Sequence, residues 1–464
     1  MSSSSVNRIV AEVAGSLGSK VCPEISVHGS GSAKSAFKVT DLATAVIGAA
    51  GNELASLIEQ TGRSRPEVVV DRRLASLWFN WTLRPEGWSM PEAWDSIAGN
   101  YQTANGWIRL HTNAAHHRAA AERVLGLEGE KSGRDDVSAV VASLATSALE
   151  SSVVAEKGCA AEMRSIEDWA AHPQGSAVAS EPLVDLEYVE VAKPRPFLAP
   201  PDRTLAGLKV LDCTRVLAGP ACTRFLASFG ADVLRIDPPW WNEPCCTEEM
   251  TLGKRCTGLD LRLPEDKQRF EQLLVEADVF VHGYRSDALE NIGLGFERQR
   301  ALNSELIIVA LNAYGWTGPW STRRGFDTLV QMSSGISHRG MVWAFADQPV
   351  MLPVQALDHA TGYLAAAAVI KGVAERHESG RILRARLSLA RTAKLLVDHS
   401  PSDADEPDLA AQTGEDFSLE IEATGWGPAR RLRAPLSVGA CGMRWDLPDG
   451  PLRTSAAQFT SSHL

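Results

Sequence analysis

The chain has 464 residues, with 57 acidic side chains against 46 basic ones and a formal net charge of −11. Its length suits two domains or one large split domain, and an apolar content of 44% with 22% charged residues is that of a folded globular protein. The acidic balance excludes an extended nucleic-acid face, which needs a basic surface, but leaves room for a phosphorylated ligand held by a local arginine cluster.

No run of 18 uncharged apolar residues suggests a membrane span, and the start MSSSSVNRIVAEV lacks the basic segment and apolar core of a secretion signal. Eight scattered cysteines, including the adjacent Cys245 and Cys246, show no paired C-x-x-C spacing and read as reduced thiols. A cytoplasmic protein with neither nucleic acid nor membrane as partner is expected.

In chain order, 6–17 reads as a short helix and 29–35 as a loop. The run from Val39 to Gln60 has the pattern of a helix with Asp41 near its N-cap, closing at Thr61–Gly62, and 68–70 follows as a short buried strand. Residues 98–180 read as a small α+β unit, with a strand at 106–112, helices at 116–125 and 137–150, and a last segment ending in the break Pro173-Gln174-Gly175. Four prolines between Ala192 and Thr204 mark a linker.

Beyond it, strands at 209–212, 232–236, 257–261, 279–282 and 306–311 alternate with helices at 220–229 and 264–277. This alternation predicts a parallel sheet with helices on both faces. The tail from Pro401 begins as an acidic loop and continues in short strand-like pieces that return to a domain already made. The fold class is α/β: a Rossmann-like parallel-sheet large domain plus a small α+β domain. The boundaries are an N-terminal segment 1–97, the small domain 98–190, the linker 191–204, the large domain 205–395 and a returning segment 396–464.

An internal repeat crosses these boundaries. Asp41-Leu-Ala-Thr-Ala-Val-Ile-Gly-Ala-Ala matches Asp358-His-Ala-Thr-Gly-Tyr-Leu-Ala-Ala-Ala, and each helix ends at a Gly-Arg pair, Gly62–Arg63 and Gly380–Arg381, before an apolar segment. The two read as one duplicated element.

Familiar motifs are absent. The first βα turn, Cys213-Thr-Arg-Val-Leu-Ala-Gly-Pro-Ala-Cys-Thr-Arg, has neither G-x-G-x-x-G nor G-x-x-x-x-G-K-[ST], and the chain has no G-x-S-x-G elbow. Arg235, Lys254, Arg255 and Arg285 fall at or beside strand ends, where they could neutralise phosphates of an adenosine-containing ligand; the alternative is solvated surface. His111, His116 and His117 lack a carboxylate or cysteine at ligand spacing and read as surface histidines, so no metal site is expected. Asp358, opening a helix, can be an N-cap or a nucleophile.

From Leu205 to Asp237 the sequence LAGLKVLDCTRVLAGPACTRFLASFGADVLRID closely resembles the opening of the family III CoA-transferases, the group of formyl-CoA transferase, carnitine CoA-transferases and α-methylacyl-CoA racemase. Further matches follow in the same order: Gly253-Lys-Arg-Cys-Thr-Gly-Leu-Asp-Leu, Ala277-Asp-Val-Phe-Val-His-Gly-Tyr-Arg, Leu289-Glu-Asn-Ile-Gly-Leu-Gly, Tyr314-Gly-Trp-Thr-Gly-Pro, Arg324-Gly-Phe-Asp and Ala356-Leu-Asp-His-Ala-Thr-Gly. Residues 39–190 resemble the later part of such a unit, best at Trp107–His111 and Asp168–Gly175, and Thr424–Leu432 resembles its closing segment. A small-domain-like segment thus precedes the large domain, as in a permuted chain or a tandem copy that lost its beginning.

The resemblance implies that Asp358 is the catalytic nucleophile of a CoA-transferase acting through aspartyl anhydride and thioester intermediates. It implies CoA contacts from Val216, Leu217 and Ala218, from Arg235, from Leu252, Lys254 and Arg255, and from Gly283, Tyr284 and Arg285. Coenzyme A or acyl-CoA would be a substrate and no cofactor would be bound permanently; acyl-CoA, a carboxylic acid and a second copy in a homodimer are the implied partners. Two departures stand out: Asn291 replaces an arginine of formyl-CoA transferase, and His282–Gly283 replace Glu-Asn. The racemase branch is the alternative, but its Gly-His-Asp is Gly325-Phe326-Asp327 here, and phenylalanine moves no proton. A non-catalytic acyl-CoA-binding role is a third reading. Asp41, with no nucleotide-binding half before it, is expected to be structural.

Overall fold

The core is a seven-stranded sheet. Its strands are β1 (Asp185–Val189), β2 (Lys209–Cys213), β3 (Asp232–Asp237), β4 (Lys254–Gly258), β5 (Val279–His282), β6 (Ile307–Asn312) and β7 (Ile382–Ser388), in the order β4-β3-β2-β5-β6-β7-β1. All neighbours are parallel except β1, which runs antiparallel to β7 at the edge. Both faces of β5 are buried along its whole length, which explains its unbroken apolar start Val279-Phe280-Val281. The chain steps from β2 out through β3 to β4, then returns to β5 on the other side of β2. The order therefore reverses between β2 and β5, and the loops after their carboxyl ends splay apart there, the usual ligand crevice of such sheets.

This computed structural model describes residues 5–19, 24–127, 132–189, 193–197, 199–400 and 407–460. Parts of the expected linker (191–192 and 198), the start of the acidic loop (401–406) and Cys22 lie outside the described residues. The other seven cysteines are free thiols. Among the described residues no single helix is long and apolar enough to cross a membrane.

Two long helices, α1 (Val39–Gln60) and α4 (Ala356–Glu378), pack against each other beside the sheet and are buried almost all round. Alanine-rich runs such as Ala365–Ala368 favour helix strongly, and their small side chains let neighbouring backbones come close. The closest approach is at Gly362: a Cβ there would lie 2.4 Å from the Ala218 carbonyl oxygen of α3 (Ala218–Ser228), so only glycine fits. That contact seats the start of α4 against the start of α3.

The duplicated element extends beyond the helices. Each long helix is followed by a strand and a short helix: Val68–Asp71 with α2 (Arg72–Leu77), and β7 with α5 (Leu389–Asp398). Each short helix is side-chain capped by its preceding residue, Asp71 on the Leu74 N–H (2.8 Å) and Ser388 on the Arg391 N–H (3.2 Å). Each strand has a parallel neighbour (Ser26–His28; β6) and an antiparallel one (Leu436–Val438; β1). The first copy has no counterpart of β2 to β5 in its own sheet, which ends at Ser26–His28.

The small α+β domain is a three-stranded antiparallel sheet, Gly99–Thr103, Gly106–Leu110 and Ala160–Glu162, with its own core of Ile97, Ile108, Val137, Leu149 and Val153. The helix expected at 137–150 is instead two, Arg134–Val141 and Thr146–Ala155, bent by 120°. A side chain distant in sequence breaks it: Asn105, in the turn between two strands, caps the second helix by accepting from the Thr146 N–H at 2.9 Å. The strand expected at 257–261 begins three residues earlier, at Lys254.

Candidate active site

Two cavities meet at Asp358. The first, of about 350 Å³, lies over the carboxyl ends of β2, β5 and β6 and is lined by Arg215, Val216, Ala218, Gly283, Tyr284, Arg285, Arg323 and Arg324, with His116 and His117 from the small domain. The second, of about 420 Å³, lies between the small domain and the starts of α3 and α4 and includes Val216, Leu217 and Asp358 in its wall. A third groove of about 290 Å³ continues outward from the first, sharing Arg215, Tyr284, Trp241 and His116.

Asp358 is the third residue of α4 and only 7% exposed. It is not the helix cap: Gln355 holds that position without a side-chain bond. The first-turn N–H groups are taken by Asp327, whose Oδ2 accepts from Leu357 (2.8 Å) and Asp358 (3.0 Å). Asp327 is itself held by Gln331, whose other amide atom accepts from the Leu352 N–H. The Asp358 carboxylate is left without a hydrogen-bond partner among the described residues and borders both cavities.

Burial, and then the neighbouring Asp327, push the Asp358 carboxyl well above its ordinary range, and burial pushes Asp327 up to about 6. A carboxylate at a helix start is expected to be held ionised by the dipole; here desolvation and a second carboxylate oppose that. Such a group is weakly solvated and poorly stabilised as an anion, unlike a capping carboxylate, whose charge the helix N–H groups satisfy.

The turn from β2 into α3 is strained. Val216 has φ +64, a left-handed conformation that a β-branched residue rarely adopts, and its N–H is held by Glu243 at 2.9 Å. Val216 thereby lines both cavities beside Asp358.

Of the residues expected to contact CoA, Val216, Leu217, Ala218, Gly283, Tyr284 and Arg285 come together on these walls. Arg235, Leu252, Lys254 and Arg255 line none of the three cavities. Arg235 is fully buried between Asp237 (2.8 Å) and Glu243, and Lys254 is buried with Asp212 (3.1 Å) and the Pro220 carbonyl (2.9 Å). They are neither ligand-facing cations nor solvated surface, the two roles weighed from the sequence; each answers a carboxylate in the core. Arg255 pairs with Asp232 at 2.6 Å and bonds the Gln458 carbonyl, and Leu252 is buried. Asn291 is bonded to Asp287 at 3.1 Å, and His282 is buried.

Sequence reasoning missed Arg215 and Arg324. Arg215 sits at the waist between the first cavity and the outer groove, stacked over Trp241 (5.1 Å) and Tyr284 (5.3 Å), its Nε buried without a hydrogen-bond partner. Its nearest carboxylate oxygen, on Asp237, is 4.0 Å away and already serves Arg235. Arg324 has no ion pair among the described residues, and burial and Arg285 pull its pKa down. The signal available was the run Arg323–Arg324 before Gly325. The histidines were misplaced as well: His111 and His117 are 6% and 4% exposed, because the small domain presses them onto Phe326, with His111 stacked at a ring separation of 3.8 Å. Among the described residues no group of His, Cys, Asp and Glu is arranged to hold a metal ion.

The repeat clarifies Asp41. It occupies the place of Asp358 in the first copy, but Arg72, the first residue of α2, forms a close ion pair with it and also bonds the Gly31 carbonyl. The matching residue of the second copy is Leu389, the first residue of α5, which lines the first cavity with Asp358. One carboxylate is locked by a guanidinium; the other faces open space.

Arginines thus gather at the switch point of a parallel sheet, beside a buried carboxylate that is unpaired among the described residues. Residues 205–416 match the model of CoA-transferase family III. An acetyl-coenzyme A transferase of Hypoxylon pulicicidum is 34% identical over 194 residues, 41% of this chain and 33% of that protein. The succinyl-CoA:glutarate CoA-transferase of Mus musculus is 31% identical over 192 residues, 39% of this chain and 44% of the relative. These matches span between a third and a half of the relatives' own lengths. A crystal structure of Rv3272 from M. tuberculosis is 28% identical, covers 44% of this chain and 62% of that one, and superposes with a TM-score of 0.38.

Proposed function

We propose that the chain transfers CoA from an acyl-CoA to a free carboxylic acid, with Asp358 as the covalent carrier. The observation that carries this reading is the position of the Asp358 carboxylate, unpaired at the junction of one cavity rich in arginine and another without any. The arginine side, with Arg215, Arg285 and Arg324, suits the phosphates and pantetheine of CoA; the other side suits the acyl group and the acceptor acid.

The steps balance without a net proton. The Asp358 carboxylate attacks the thioester carbonyl, the C–S bond breaks, and CoA leaves as thiolate from an aspartyl acyl anhydride. The thiolate attacks the aspartyl carbonyl and expels the donor acid as carboxylate, leaving a CoA thioester on Asp358. The acceptor carboxylate attacks that thioester, giving a second anhydride and thiolate, and the thiolate then takes the acceptor acyl group and frees Asp358. Each intermediate is hydrolysable, and the small domain over the Asp358 cavities supports the reading because it limits water. Asp327 holds the helix start while the side chain is acylated.

Intact-mass measurement with a panel of acyl-CoAs tests this: the native chain gains an acyl or CoA adduct sensitive to neutral hydroxylamine, and Asp358→Ala gains none. An adduct that persists in the variant overturns the role of Asp358. One observation favours α-proton exchange instead: a histidine does border the second cavity with Asp358, His111, stacked on Phe326. Burial holds His111 neutral, well below its ordinary pKa. Deuterium entering the α-carbon of a 2-methylacyl-CoA from solvent would identify that reaction.

A further inference from the structure

The two cavities at Asp358 differ in charge as well as in place. The first is lined by Arg215, Arg285, Arg323 and Arg324. The wall of the second has no lysine or arginine and includes Trp81, Trp94, Trp241 and Phe326, with Glu92, Asp95, Glu243, Asp327 and Asp358 as its acids.

Arg118 holds Asp95 at 2.8 Å and Arg235 holds Glu243. Arg109, outside the wall, stands 4.9 Å from the Trp94 ring, bonded to Asn100 at 2.9 Å, and its charge is felt at Asp327. Glu92 is exposed and has no ion pair among the described residues. Trp94 meets His111 edge-on at 5.8 Å and His111 stacks on Phe326, so one side of the cavity is a continuous aromatic wall. Burial keeps His111 uncharged, so that wall stays neutral through the physiological range.

We infer, resting on the transfer reading above, that this second cavity is the acyl pocket and that it selects acyl groups without a further charge, aryl-substituted ones foremost. A second carboxylate, as in a succinyl or glutaryl group, would enter a space walled by acids and aromatic rings, with no lysine or arginine in the lining to pair with it. An aryl ring instead finds edges and faces of indole and phenyl at stacking distance. The volume of about 420 Å³ is in the range that encloses a small drug-sized ligand, more than an acetyl or formyl group fills. On this point the chain departs from its mouse relative, whose name gives two dicarboxylates as substrates.

The experiment compares 3-phenylpropanoyl-CoA with succinyl-CoA on the full chain, as kcat/KM for CoA release and as adduct on Asp358, for native protein and Glu92→Lys. The expected result is at least a hundredfold preference for the aryl substrate, narrowed at least tenfold in Glu92→Lys, whose new ammonium stands at the pocket rim. Equal or better use of succinyl-CoA by the native chain overturns the inference.

If no acyl-CoA labels Asp358, the transfer reading fails, and binding still decides the pocket. Isothermal titration calorimetry of 3-phenylpropanoate against succinate, on native protein and Glu92→Lys, then reads the pocket. Tighter binding of the aryl acid by tenfold or more upholds the selectivity; equal or reversed affinity removes it.

Discussion

Lys254→Met separates a ligand-binding lysine from a structural one. Lys254 Nζ and the Asp212 carboxylate are both fully buried, 3.1 Å apart, and the ammonium also donates to the Pro220 carbonyl at 2.9 Å. Asp212 additionally accepts from the Thr214 N–H at 2.9 Å and from the hydroxyls of Thr214 and Thr223. Methionine matches the lysine stem in volume but leaves a buried carboxylate facing only neutral donors. Breaking a buried pair this way costs about 3–5 kcal/mol, a large fraction of the roughly 5–15 kcal/mol that holds a typical domain folded. Urea unfolding should therefore show a much lower midpoint for Lys254→Met, and Asp212→Asn in the same chain should restore part of it.

The KM for acyl-CoA of whatever protein remains folded should stay within about twofold. Arg215→Gln should do the reverse. Its side chain is 21% exposed and has no close acid of its own, so its loss should leave the unfolding midpoint near native while raising KM by about tenfold to a hundredfold, equivalent to roughly 1.4–2.8 kcal/mol. A Lys254→Met chain of native stability with a tenfold higher KM would refute this reasoning, because Lys254 would then be a ligand contact.

Asp327→Asn removes the negative neighbour that helps hold Asp358 protonated, so the acidic limb of the kcat/KM profile should move to lower pH; an unmoved limb would show that desolvation alone sets it. The stability of the native chain relative to that variant should be greatest below about pH 4 and decline as pH rises through about 6, since a carboxyl raised in the folded state binds its proton more tightly there than in the unfolded chain. Arg72→Leu, which gives the first copy the residue of the second, should destabilise by about 3–5 kcal/mol by stranding Asp41, and should yield no second adduct by intact mass, since among the described residues the sheet beside that helix has no counterpart of β2 to β5.

The class of fold can be read from the pattern of residues alone. Strands buried on both faces appear as unbroken apolar runs between helices, so β2, β3, β5 and β6 were legible within a residue or so. The repeat at Asp41 and Asp358 was legible for the same reason, since a helix buried all round must be small and apolar along its length. What a local pattern cannot encode is which charge answers which. Arg235 and Lys254 look the same in sequence as Arg215 and Arg285, and only the packing of Asp212, Asp237 and Glu243 puts the first two in the core and leaves the others facing a cavity. The split of the helix at 137–150 depended on Asn105, some forty residues away. At Asp358 the sequence allows the helix's own cap; tertiary structure gives that task to Asp327 and leaves the Asp358 carboxylate without a hydrogen-bond partner among the described residues, at the meeting of two cavities.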